Sequence, residues 1–117
     1  PNTLVMTKLK GTQVREIFNH AAGMTNGVLQ ISENSRYSFT PGKQVHEIWI
    51  KDELVADEKE YWVAAPNFVT QGGDGYWEFQ NAIEYIDTGV VIVDAVEDFI
   101  QGEEMYEPKY EGRILLK

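Results

Sequence analysis

Tyr61-Trp62-Val63-Ala64-Ala65 is an unbroken apolar run closed by Pro66, and the loop that follows it, Asn67 to Gly75, holds three glycines. A run of this length with no polar alternation predicts a strand buried on both faces. Such a strand needs a paired neighbour and a covering layer, so the chain must build a sheet that other elements pack against. The glycine loop leaves from the carboxyl end of that strand, where ligands in sheet-containing folds often bind.

The remaining elements follow from local patterns. Leu4 to Lys10 reads as a strand with Val5, Thr7 and Leu9 on one face. Gly11 ends it, Thr12 stands at an N-cap position, and Val14, Ile17, Phe18 and Ala21 recur at helical spacing, which predicts a helix over 13–22 with Gly23 as its stop. Short strands are expected over Val28–Ile31 and Arg36–Phe39. A turn at Thr40-Pro41-Gly42-Lys43 follows, then a strand over Val45–Ile50 and a hairpin through Lys51-Asp52-Glu53 into Leu54 and Val55. Tyr76 to Tyr85 fits either a short helix or irregular structure. Asp87-Thr88-Gly89 opens a predicted helix over Val90–Ile100, and Gly112 to Leu116 reads as a last strand. The interleaving predicts an α+β fold, a mixed β-sheet flanked by helices, with residues 1–117 as a single domain.

Composition narrows the partners. A net charge of -9, from 19 acidic and 10 basic residues, repels a phosphate backbone and argues against nucleic acid as a partner. A local pocket for a mononucleotide is not excluded by that mean field. No apolar stretch is long enough for a membrane span, and no signal peptide stands at the start. Cysteine is absent, so disulfides and cysteine–zinc sites are excluded. The first residue is Pro1 and not Met, which reads as a processed or excised product.

Machinery for bond breaking is hard to find in the residues. His20 and His46 lack partners at metal-ligand spacing, and no nucleophile elbow or phosphate loop of the Gly-x4-Gly-Lys type occurs. Glu58/Glu60 and Glu103/Glu104 read as solvated faces, and Arg36 as a surface charge that could reach a phosphate. The unusual stretch is Pro66 to Trp77. Its glycines permit left-handed angles and close backbone approach. Phe68 is a large ring in a loop, and Asp74 is an acceptor able to take two hydroxyl protons, as from a ribose diol. Two readings stay open on pattern alone: ligand contacts, or a structural turn with Phe68 plugging the core. Tyr76 and Trp77 could touch a ligand or only cover the loop, while Trp49, Trp62, Phe99 and Ile100 read as core.

Tyr61-Trp62-Val63-Ala64-Ala65-Pro66-Asn67-Phe68, continuing through Gly72-Gly73-Asp74-Gly75-Tyr76, resembles the signature of the 5'-nucleotidase C-terminal domain family, a Tyr-x-Val-Ala-x-x-Asn-Phe strand running into a Gly-Gly-Asp-Gly-aromatic loop. Pro1-Asn2-Thr3-Leu4-Val5, Asn26-Gly27-Val28-Leu29-Gln30-Ile31 and Glu111-Gly112-Arg113-Ile114 are similar to further blocks of that family, in the same order. The family includes cyclic-nucleotide phosphodiesterase and UDP-sugar hydrolase relatives. The resemblance implies substrate-binding roles: Phe68 as one of two rings that sandwich a base, Asp74 as the carboxylate on the ribose hydroxyls, and Asn2 and Gly27 beside the base edge. It implies no catalytic residue and no metal ligand on this chain, which alone is expected to be inactive. Two divalent metal ions are expected in the parent's N-terminal metallophosphoesterase domain, whose Asp-x-His, Gly-Asn-His-Glu and Gly-His-x-His motifs do not occur here. The expected ligand is a nucleotide or nucleoside, and the expected location of the parent is secreted, periplasmic or cell-surface.

One departure from the family pattern stands out. The second sandwiching aromatic and the substrate-contacting arginines belong upstream of the Pro1-Asn2 opening, so the chain corresponds to about the last two-thirds of the domain. That departure motivates an alternative, a non-catalytic interaction module that keeps the fold without the ligand. An unpaired sheet edge also leaves room for a homodimer.

Overall fold

A computed structural model describes residues 2–24, 31, 35–40, 42–93 and 114–116. The chain divides into two compact units, one from Pro1–Leu9 with Trp62–Tyr110 and the other from Lys10–Tyr61 with Glu111–Lys117. The class is α+β, as the interleaved patterns predict, but the strands form two small sheets where a single mixed sheet is expected.

In the first unit, β1 (Thr3–Lys10) lies at the centre of a three-stranded sheet between β5 (Glu60–Pro66) and β6 (Glu84–Val91). The expected face of β1 holds: Val5, Thr7 and Leu9 are all fully buried. A buried hydroxyl needs a partner, and Thr7 Oγ1 finds one by donating to the Val63 carbonyl at 2.8 Å. Strand β5 corrects the expectation of a strand buried on both faces. It occupies an edge of its sheet, Trp62 is 50% exposed and Ala64 is exposed, while Val63 and Ala65 are half-buried. Alanines and an amphipathic Trp produce an apolar run without a double-sided core. Trp62, read as core, instead carries the Lys8 ammonium 5.7 Å from its ring centroid. That ammonium also pairs with Glu84 at 3.4 Å.

The predicted helix over Val90–Ile100 is also corrected at its start. Val90 and Val91 belong to β6, Ile92 and Val93 are helical, and 94–100, with Phe99 and Ile100, lie outside the described residues. Asp87-Thr88-Gly89 does not cap that helix; it builds a bulge. The β1–β6 pairing shifts between Thr3↔Val91 and Val5↔Asp87, which inserts extra residues into β6. Asp87 Oδ1 accepts from Gly89 N–H at 3.0 Å, and Thr88 Oγ1 accepts from Val90 N–H at 3.2 Å. Thr88 Oγ1 also donates to the Leu4 carbonyl at 2.7 Å, while Gly89 supplies a φ of 72°. Short-range side-chain acceptors and a left-handed glycine serve a bulge as well as a cap.

The second unit packs α1 (Gly11–Gly23) on a hairpin of β2 (Ser35–Thr40) and β3 (Gln44–Ile50). Strand β4 (Glu53–Leu54) extends that sheet from β3, and β7 (Ile114–Leu116) runs parallel to β2, which makes it mixed. Val14, Ile17, Phe18, Ala21 and Ala22 form the buried stripe of α1, and Tyr37, Phe39, Val45 and Ile48 are buried on the hairpin. Phe18 meets Tyr37 edge-on at 4.9 Å between centroids. The helix starts before the expected Thr12 cap because the chain supplies backbone acceptors: Gly11 N–H donates to Lys59 O at 2.9 Å and Thr12 N–H to Asp57 O at 3.2 Å. Gly11 permits this approach, since a Cβ there would overlap the Ala56 carbonyl. Lys51 and Asp52, both at positive φ, make the expected hairpin turn. The expected strand over Val28–Ile31 lies outside the described residues except for Ile31, which is in no strand.

Candidate functional site

Pro66 ends β5, and its extended backbone delivers the chain into a single helical turn, α2 (Asn67–Thr70). The turn is fixed from three sides. Asn67 Oδ1 accepts from Thr3 N–H at 3.2 Å, which ties its start to β1. Thr70, fully buried, shares a hydrogen bond with the Tyr85 hydroxyl at 2.7 Å and donates to Asn67 O at 3.2 Å. Gln80 Nε2 donates to Thr70 O at 2.6 Å. Asn67 and Thr70, to which the sequence patterns assign no role, therefore hold the platform on which Phe68 stands. The Asn directly after Pro66 is the signal that could have marked the first of them.

The glycines then reverse the chain. Gly72 has a φ of 101° and is buried, with its N–H on Val69 O at 3.0 Å and its carbonyl accepting from Gly75 N–H at 3.0 Å. A 3-10 turn at Gly73–Gly75 carries Asp74 in the left-handed region at φ 55° and ψ 22°. That angle is rare for a residue other than Gly, and Asp and Asn tolerate it best. A second 3-10 turn, Trp77–Asn81, leads to β6 and buries Phe79. Part of the expected loop is thus short helical turns.

Phe68 is 54% exposed, so it does not plug the core. Its ring leans on Gly73: a Cβ there would stand 2.5 Å from Phe68 Cε1 and 2.5 Å from the Phe68 carbonyl. Asp74, next to Gly73 in the chain, is exposed, and Tyr76 is buried, only 7% exposed. Burial, and secondarily the negative charge of Asp74, raises the Tyr76 hydroxyl above its ordinary pKa of 10.0. Trp77 is 66% exposed and rests against Gly72, where a Cβ would overlap its six-membered ring.

Asn2 is exposed, and its carbonyl accepts from Ile92 N–H at 3.0 Å. The Thr3–Asn67 hydrogen bond brings the residues after Asn2 and before Phe68 together, so these two candidates share a neighbourhood. Gly27 lies outside the described residues. Arg36 is committed elsewhere: its guanidinium is 4.7 Å from the Trp49 ring centroid and its Nη1 donates to Asp52 Oδ1 at 2.8 Å. Trp49, read as core, is accordingly half-buried. Among the described residues, no group of three or more His, Cys, Asp or Glu side chains could hold a metal ion.

Relatives of known kind match this chain along most of its length. UshA of Escherichia coli (strain K12) is 30% identical, over 94% of this chain and 21% of its own. The trifunctional nucleotide phosphoesterase protein YfkN of Bacillus subtilis (strain 168) is 32% identical, over 97% of this chain and 9% of its own. A crystal structure of a 5'-nucleotidase precursor from Thermus thermophilus superposes with a TM-score of 0.88 at 27% identity, over 98% of this chain and 25% of that one. The chain therefore spans a quarter or less of each of these proteins. A family model described as 5'-nucleotidase, C-terminal domain, matches residues 1–81 of the 117, and the chain belongs to that family.

Proposed function

We propose that residues 1–117 are most of one C-terminal domain that holds the base and ribose of a nucleotide for a metal-dependent nucleotide phosphoesterase. The observation that carries this reading is the half-exposed Phe68 ring, backed by Gly73 and followed six positions later by the exposed carboxylate of Asp74. A ring with its back on glycine offers a rigid apolar face for stacking. A carboxylate accepts two hydroxyl protons at once. Asn2, in the same neighbourhood through the Thr3–Asn67 bond, would meet the base edge.

The described residues do not fit a metal centre, and no step of ester hydrolysis is assigned to them. The two divalent ions expected from the family resemblance belong to the parent's N-terminal domain. The contribution of this chain is to orient the substrate, which removes translational and rotational freedom from the reaction. Export of the parent, to the periplasm, the cell surface or the medium, is part of the same reading.

Phe68→Ala tests it: binding of AMP weakens by about 1–3 kcal/mol if a base stacks there. Unchanged affinity removes the basis of the proposal. A second reading, an interaction module or homodimer that has lost the ligand, draws on the exposed apolar residues Trp62, Ile86 and Val90. Self-association without any nucleotide response would favour it.

A further inference from the structure

We propose that Trp77 is a further ligand-contact residue of this site and gives it a preference for purine over pyrimidine nucleosides. The inference rests on the base-binding reading above. Its first support is the exposure of the indole: at 66% it is the more exposed of the two loop rings, Phe68 included. The backbone is anchored on both sides of it. Tyr76 before it and Phe79 after it are both buried, and Tyr76 N–H is held by Gly73 O at 3.2 Å. Trp77 opens the 3-10 turn between these two anchors.

Its second support is the matched seating of the two rings. Phe68 rests on Gly73 and Trp77 on Gly72, and neither seat has room for a Cβ. Adjacent Cα atoms are ~3.8 Å apart, so the two rings are seated on neighbouring residues of a single dipeptide. Asp74 follows directly. A packing role for the indole would bury it; a seat on glycine with most of the ring uncovered presents it.

Chemistry then selects the ligand. A phenyl ring covers one six-membered ring of a base. The fused second ring of a purine extends beyond that platform and gains from another aromatic surface, whereas a pyrimidine has nothing to place there. Stacking favours the larger planar system.

The test titrates the folded 117-residue chain with adenosine and with uridine, by calorimetry, for wild type, Trp77→Ala, Trp77→Phe and Phe68→Ala. Thermal melts of each variant check the fold. Wild type is expected to bind adenosine more tightly than uridine. Trp77→Ala should lose about 5-fold or more in adenosine affinity and less than about 2-fold in uridine affinity, and Trp77→Phe should fall between. Phe68→Ala should weaken both ligands. A wild-type adenosine-to-uridine ratio in both Trp77 variants, or no purine preference in wild type, overturns the role of Trp77 and leaves the base-binding reading standing. If folded wild type binds neither nucleoside, both fall together. Should Trp77→Ala fail to fold, Trp77→Phe decides the matter through the same ratio.

Discussion

Gly73→Ala probes the seat of the Phe68 ring, and its effect can be worked from the geometry. The added Cβ would stand 2.5 Å from Phe68 Cε1 and 2.5 Å from the Phe68 carbonyl oxygen. Ordinary carbon contacts are ~3.5–4.0 Å, so each overlap is about 1 Å. Rotation of the ring relieves only the first. The carbonyl belongs to α2, whose neighbours Asn67 O and Val69 O hold Gln71 N–H at 2.9 Å and Gly72 N–H at 3.0 Å. Clearing it disturbs that turn, and overpacking of this kind costs about 1–3 kcal/mol. For a domain of this size that lowers the melting temperature by roughly 4–12 °C. Gly23→Ala is the control: Gly23 is exposed in the last turn of α1, with no positive φ and nothing within 4 Å of an added methyl. It should leave stability unchanged or raise it by up to ~1 kcal/mol. Circular-dichroism melts of both variants decide. Gly73→Ala melting with wild type, or Gly23→Ala falling as far as Gly73→Ala, would mean that the Phe68 ring and carbonyl do not depend on a bare Gly73.

Two further outcomes concern stability. Burial and the Asp74 charge raise the Tyr76 pKa above 10.0, so the folded state favours the neutral phenol. Its contribution is fully present below the unfolded value and is lost as pH rises from there through the folded value. Denaturant unfolding at about pH 8 and about pH 11 should show wild type losing more stability than Tyr76→Phe; equal losses contradict the assignment. Phe18→Ala removes a buried ring and its edge contact with Tyr37, and should cost about 3–5 kcal/mol by the same unfolding measurement. A cost below ~1 kcal/mol would mean that α1 is not held to the hairpin by this pair.

Much of the fold is legible in the sequence where one face alone is buried. The alternation of Val5, Thr7 and Leu9 and the helical spacing of Val14, Ile17, Phe18 and Ala21 mark their elements because core and solvent lie on opposite sides. Where that contrast fails, pattern misleads. The run at Tyr61–Ala65 mimics a doubly buried strand because alanine is apolar by type yet indifferent to exposure. Asp87-Thr88-Gly89 is ambiguous for a different reason: oxygen acceptors two residues from an N–H and a glycine at positive φ serve a bulge and a cap alike. The start of α1 depends on acceptors at Asp57 and Lys59, far along the chain, which no local window contains.

The site divides in the same way. Glycine spacing marks the loop and picks out Phe68 and Asp74, because close approach and left-handed angles have a compositional cost that shows in sequence. Pattern alone leaves Phe68 open between core plug and exposed plate; the Gly73 seat and the exposure of the ring distinguish them. The supports at Asn67 and Thr70 are long-range hydrogen bonds to Thr3 and Tyr85; only the Asn directly after Pro66 leaves a local mark, and Thr70 leaves none.

The proposed function requires the Phe68 ring and the Asp74 carboxylate to grip one nucleoside together. Amide NMR spectra of the folded chain during titration with AMP test it most directly. Saturable shifts are expected, concentrated at Asn67 to Trp77 and at Asn2 and Thr3. Spectra that stay unchanged throughout, or shifts confined to the β2–β3 hairpin, would contradict it.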